Sequence, residues 1–182
     1  PILVGERTNA IGSRIFKDTI ARGQWDEAVE VARRQARMGA HVLDVCLANP
    51  ERNERQDIEE FLSRLVKATK LPLMIDSTDA QVFETALRWC PGKAILNSIN
   101  LEDGEERFKK VVPLIHRYGA AVVVGTIDED PKQGMALTGQ RKLAIAKRSH
   151  DLLTKTYGLK PQDLIFDVLV FPCATGDKNY YG

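Results

Sequence analysis

The chain has 182 residues, 43% of them hydrophobic and 28% charged, with 26 Lys and Arg against 25 Asp and Glu. That is enough apolar material for one well-buried core, and the near-zero charge balance, without any basic run, gives no electrostatic reason to expect nucleic acid or an anionic membrane. The apolar stretches are too short to span a bilayer and the first residues lack a leader pattern. Three widely spaced cysteines, Cys46, Cys90 and Cys173, argue for a reducing, cytoplasmic setting and against a disulfide framework.

In chain order, Ile2-Leu3-Val4 reads as a buried strand that runs into the polar loop Gly5-Glu6-Arg7-Thr8-Asn9, with small pivots at Ala10 and Gly12. Residues 24–38 carry Trp25, Ala28, Val29, Ala32 and Ala36 on one helical stripe, and Gly39 is the stop signal. Val42 to Cys46 is the second strand, followed by the Ala48-Asn49-Pro50 loop and a helix over 54–69. Leu73-Met74-Ile75 then delivers Asp76-Ser77-Thr78, residues 79–89 read as a helix, and Ala94-Ile95-Leu96 delivers Asn97-Ser98. If these last two strands are parallel neighbours, Asp76 and Asn97 lie side by side at their carboxyl ends.

A further helix covers 104–118, where Pro113 predicts a kink or an early break. The apolar run 120–126 suits a strand covered on both faces, hence a parallel sheet. The loop 127–139 is long enough to act as a lid, Thr138 caps a helix that runs to Tyr157, residues 164–170 form the sixth strand, and 171–182 are a polar tail. Regular strand-helix alternation allows a doubly wound sheet or an eightfold barrel. The first turn lacks G-x-G-x-x-G, whereas polar residues at successive strand ends suit the barrel. The fold class expected is therefore an α/β, (β/α)8 TIM-type barrel. This chain supplies about six of its βα units, in sequential strand order, as one domain over 1–182 that is incomplete at its C-terminus.

One rim then collects Glu6, Asn9, Asp44, Asp76, Asn97, Asn100, Asp128 and Asp167. These are carboxylates and amides without histidine, so the usual ligands of a barrel metal hydrolase are missing, although a hard-ion site built from carboxylates stays open. No serine or cysteine has an activating base nearby in sequence. Such a rim can hold a flat polar heterocycle, since carboxylates accept from ring N–H and amino groups while Asn both donates and accepts. Each single acid also has an ordinary alternative as a loop-capping or surface residue.

The segments GERTN at 5–9, IDST at 75–78, NSIN at 97–100, YGAAVVV at 118–124 and IFD at 165–167 resemble the pterin-binding barrel family. Within it they are most similar to the folate domains of cobalamin-dependent methionine synthases, with the corrinoid methyltransferases that use methyltetrahydrofolate as close relatives. The resemblance runs over essentially the whole chain. It implies that Asp76, Asn97 and Asp167 bind the pterin ring, that Glu6 shapes the pocket, and that Asn9, Asp44 and Asn100 contribute. Asp76 and Asn97 are the implied catalytic pair. The residue that contacts N5 in the family is an Asn on a later strand, expected beyond Gly182. The implied activity is methyl transfer from N5 of methyltetrahydrofolate to Co(I) cobalamin on a partner domain or corrinoid protein, within methionine biosynthesis. A dihydropteroate-synthase-like enzyme and a non-catalytic folate-binding module are the alternatives.

Overall fold

The structure, a computed structural model, describes residues 1–170. The expectations for 171–182, Cys173 among them, lie outside the described residues. The chain divides into two compact units, Pro1–Asn97 with Arg117–Ala120, and Ser98–His116 with the chain from Ala121 onward.

The first unit holds β1 (Val4–Gly5), α1 (Arg14–Ala21), α2 (Trp25–Arg37), β2 (Val42–Val45), α3 (Glu54–Ala68), β3 (Leu73–Asp76), α4 (Ala80–Leu87) and the start of β4 (Ile95–Ile99). Its strands pair in parallel in sequence order, through Val4↔Val42, Leu43↔Leu73 and Ile75↔Leu96. Residues in register share a face of a parallel ladder. Leu73 and Ile75 are therefore sealed under the helices, while Met74 and Asp76 turn to the other face. On the covered side Phe16 of α1 meets Phe61 of α3 edge to face, at 5.3 Å between ring centres, and both rings are fully buried. Each such ring stabilises by about 1.5–3 kcal/mol.

α1 was not foreseen in the polar stretch after Gly12, although its signals are present. Ser13 accepts a hydrogen bond from the Phe16 N–H as N-cap, and Phe16 and Ile20 form an i, i+4 apolar pair. The first strand differs from expectation too. Only Val4–Gly5 is strand, and Ile2, Leu3 and Val4 are exposed rather than buried, because β1 is hydrogen-bonded along one edge alone among the described residues.

The second unit contains the end of β4, most of α5 (Glu106–Tyr118), β5 (Ala121–Gly125), α6 (Gly139–Asp151), a wide π-turn at Leu152–Thr156 and β6 (Leu164–Asp167). β5 and β6 pair in parallel from Val122↔Leu164 to Gly125↔Asp167, and every residue of β5 is buried, as its unbroken apolar run requires. Thr138 caps α6 by accepting from the Arg141 N–H at 3.2 Å. α5 runs through Pro113 without the expected early break. Pro113 lies on the exposed face, so the carbonyl that loses its partner can be hydrated. β6 stops at Asp167 rather than 170, since Leu169 adopts φ 55° and cannot continue an extended strand. No helix among the described residues is long and apolar enough to cross a membrane.

Candidate functional site

At the carboxyl ends of β1 to β4, the first unit encloses a hollow of about 340 Å3 whose lining includes Glu6, Asn9, Asp44, Met74, Asp76 and Asn97. The GERTN loop reaches it because α2 holds the loop from behind. Gln35, 8% exposed on α2, accepts from the Arg7 N–H at 2.7 Å and donates to Thr8 Oγ1 at 3.3 Å. Thr8 in turn donates to the Asp44 carbonyl. A side chain at Gly5 would meet Gln35 Oε1 at 2.7 Å and push on the amide that holds the loop, so glycine serves close approach there, not turning. The loop then locks onto the end of β2, with Ala10 N–H donating to Cys46 O at 2.8 Å.

Asn9 stands between two acids. Its Nδ2 donates to Asp44 Oδ2 at 2.8 Å and Asp76 Oδ2 at 2.9 Å, while its Oδ1 accepts from the Ile11 and Gly12 N–H groups at 2.9 and 3.0 Å. Asp44 is 4% exposed, and its Oδ1 has no hydrogen-bond partner among the described residues. Burial pushes its carboxyl up from an ordinary 3.8 to about 6; the Asn9 hydrogen bond opposes this and the charges of Asp76 and Glu6 add to it. Asp76 is also pushed up by burial, against the hydrogen bonds from Asn9 and the Cys46 thiol. Cys46 is sealed, and burial drives its thiol to about 12. Glu54, at the start of α3, is raised chiefly by burial beside Ser77 and Asp79.

Asp76 and Asn97 are in register on neighbouring strands, and the Ser77 N–H donates to Asn97 O at 3.2 Å. The ladder gives the expected side-by-side placement, at the last residue of β3 but at the middle residue of β4, which continues to Ile99. Glu6, Asn9, Asp44, Asp76 and Asn97 are thus brought to one hollow. Gln35, Thr8 and Cys46 were missed as its supports, since no local pattern marks a helix glutamine or a strand-end thiol as a brace.

The remaining expected residues belong to the second unit. Asn100 Oδ1 accepts from the Glu102 N–H at 2.9 Å, a local turn contact. Asp167 ends β6, is exposed, and accepts from the Leu169 N–H at 2.8 Å. Asp128 is a structural acid: it is 6% exposed and receives Arg141 Nη2 on both oxygens at 2.8 and 2.7 Å. The loop expected as a lid is braced throughout. The Asp128 N–H donates to Gly134 O, Ile127 bridges Met135, Glu129 pairs with Arg148, and Asp130 caps the Lys132 and Gln133 N–H groups. A larger hollow of about 580 Å3 runs along this loop, but Asp128, Glu129 and Asp130, the acids it draws from the loop, are those already engaged. No cluster of His, Cys, Asp and Glu suited to a metal ion occurs among the described residues.

The family described as pterin binding enzyme matches residues 5–182. This chain belongs to the pterin-binding enzymes. It is 37% identical over 181 residues to the methionine synthase of Mycobacterium leprae (strain TN) and 38% identical over 181 residues to that of Mycobacterium tuberculosis (strain ATCC 25618 / H37Rv). The alignments take in 98% of this chain, which spans about 15% of the length of either relative. Among solved structures, a Xanthomonas albilineans dihydropteroate synthase with 4-aminobenzoic acid superposes with a TM-score of 0.66 at 20% identity. That match covers 92% of this chain and 59% of the other. A Yersinia pestis DHPS with a pterine-sulfa conjugate gives 0.63 at 15% identity, covering 92% and 60%. The fold of this pterin-binding enzyme is accordingly the α/β TIM-barrel type expected from its strand-helix alternation, with about six βα units in the chain.

Proposed function

We propose that the chain binds methyltetrahydrofolate and supports transfer of its N5 methyl group to Co(I) cobalamin on a partner domain, as one pterin-binding domain of a methionine synthase. The observation that carries this is the 37–38% identity to methionine synthases over 98% of the chain, against 15–20% to dihydropteroate synthases of the same fold. The hollow agrees with it chemically. Three carboxylates and two amides line it and, among the described residues, no Lys or Arg does. That set suits the N–H donors of an amino-pyrimidinone ring and offers nothing to a diphosphate, which a dihydropteroate-synthase-like reaction would bring.

In this reading Asp76 and Asn97 orient and polarise the pterin, Glu6 and Asp44 complete the wall, and Asn9 acts with them. Assigning Asp167 and Asn100 to the pterin rests on the resemblance alone. A tertiary amine leaves poorly, so N5 needs a proton or a strong hydrogen bond along the path, and the protein's part is to orient and polarise the ring. Bound Co(I) cobalamin supplies the nucleophile that takes the methyl group. The test is to mix the full-length protein with methyltetrahydrofolate and Co(I) cobalamin and follow the methylcobalamin spectrum. Folate binding without methyl transfer would mean a non-catalytic folate module; no folate binding at all would sink the reading.

A further inference from the structure

Asn9 has nothing left for a ligand. An amide offers two protons and two lone pairs, and all four are engaged, by Asp44, Asp76, Ile11 and Gly12 at 2.8–3.0 Å. The two acids it bridges stand on neighbouring strands, and the other ionisable groups facing them are of the same character. They are Glu6 from the loop after β1, the Cys46 thiol at the end of β2 and Glu54 on α3, itself beside Asp79. No basic side chain is paired with Asp44 or Asp76 among the described residues, so their repulsion is met by hydrogen bonds alone. Asp44, nine-tenths buried with one oxygen unpartnered, would take up a proton if that support were withdrawn.

We propose that Asn9 is a positioning residue, not a folate contact: its amide holds Asp44 and Asp76 together in the carboxylate form that the pterin N–H groups require. This rests on the folate reading above, and it places Asn9 one step behind the contact role that the family resemblance implies. Because Oδ1 is fixed by two backbone N–H groups, the amide cannot rotate, and both protons stay aimed at the acids. The GERTN loop thereby sets the charge of the hollow as well as its shape.

The experiment uses Asn9→Ala in the full-length protein, with two readouts. In the ligand-free state, carboxyl carbon NMR should show the titrations of both Asp44 and Asp76 moving up by about one pH unit, the effect of losing one hydrogen bond to a charged group at each. With methyltetrahydrofolate, the acid limb of the affinity profile should move up by the same amount, so that affinity recovers as pH rises. Cys46→Ala is the second variant should Asn9→Ala not fold. It removes a donor from Asp76 alone, so the Asp76 titration should rise while that of Asp44 stays within a few tenths of a unit. Unmoved titrations, or an affinity loss equal at every pH, would overturn the proposal. A wild-type protein that binds no folate would refute the functional reading instead, and the ligand-free titrations would still decide the role of Asn9.

Discussion

Replacing Asp44 by Asn should make the protein more stable at neutral pH, by an amount that the burial of this carboxylate fixes. In the unfolded chain the group titrates near 3.8; in the folded protein, 4% exposed, it titrates near 6. Between those values the native state holds a proton that the unfolded state has released, so native stability is greatest at the acid end of the window and falls as pH rises through it. The separation is about two pH units, at about 1.4 kcal/mol each, or about 3 kcal/mol in all, and the loss is complete above about pH 7. Asn is nearly isosteric, can still accept from Asn9, and carries no charge at any pH. Urea unfolding of wild type and Asp44→Asn between pH 4 and 8 reads the effect as a difference between the two proteins. The variant should gain about 2.4 kcal/mol on the wild type from the acid to the neutral end of that range, because at pH 4 the unfolded carboxyl is already more than half ionised. A difference that does not change with pH would mean that Asp44 titrates normally and that the hollow is wetter than its packing indicates.

Three further outcomes are expected. Arg141→Ala should cost about 3 kcal/mol in chemical denaturation, because it leaves Asp128 buried with, among the described residues, only Arg148, 3.9 Å away, to answer its charge. Pro113→Ala should raise the thermal midpoint by restoring an interior helix hydrogen bond on an exposed face, a gain of about 1–3 kcal/mol. Asp167→Asn should weaken methyltetrahydrofolate binding by about 2 kcal/mol in calorimetry, with Asp103→Asn, on an exposed turn, as an inert control; equal affinities would make Asp167 a strand-end turn residue, a role its contact with the Leu169 N–H already performs.

What the sequence made legible follows from how local its signals are. The strands that carry Asp76 and Asn97 are separated by one helix, so simple parallel pairing puts the two side by side, and Thr138, three residues before its partner N–H, announces its cap. Asp128 was collected with the rim acids because its partner Arg141 is thirteen residues on, across a loop whose path no period describes, so the ion pair that engages it could not be read from the sequence. Gln35 was invisible for a similar reason. On α2 it occupies a buried position of an apolar stripe, and only the arrival of the loop twenty-eight residues earlier in the chain gives its amide something to hold. The exposed first strand shows the opposite error: an apolar run tells of a strand, but not of how many neighbours cover it.

The sealed thiol of Cys46 has a use that its hydrogen bond to Asp76 does not suggest. A cysteine reacts as the thiolate, and one held near 12 with 1% exposure presents almost none to an alkylating reagent while the site is closed. Its modification therefore waits on local opening of the strand end that carries the acids, and the rate of labelling becomes a clock for that opening. Cys90, also raised by burial but located before β4 and away from the hollow, keeps time for a different part of the same unit. A ligand seated against Asp76 should slow the first clock and leave the second running.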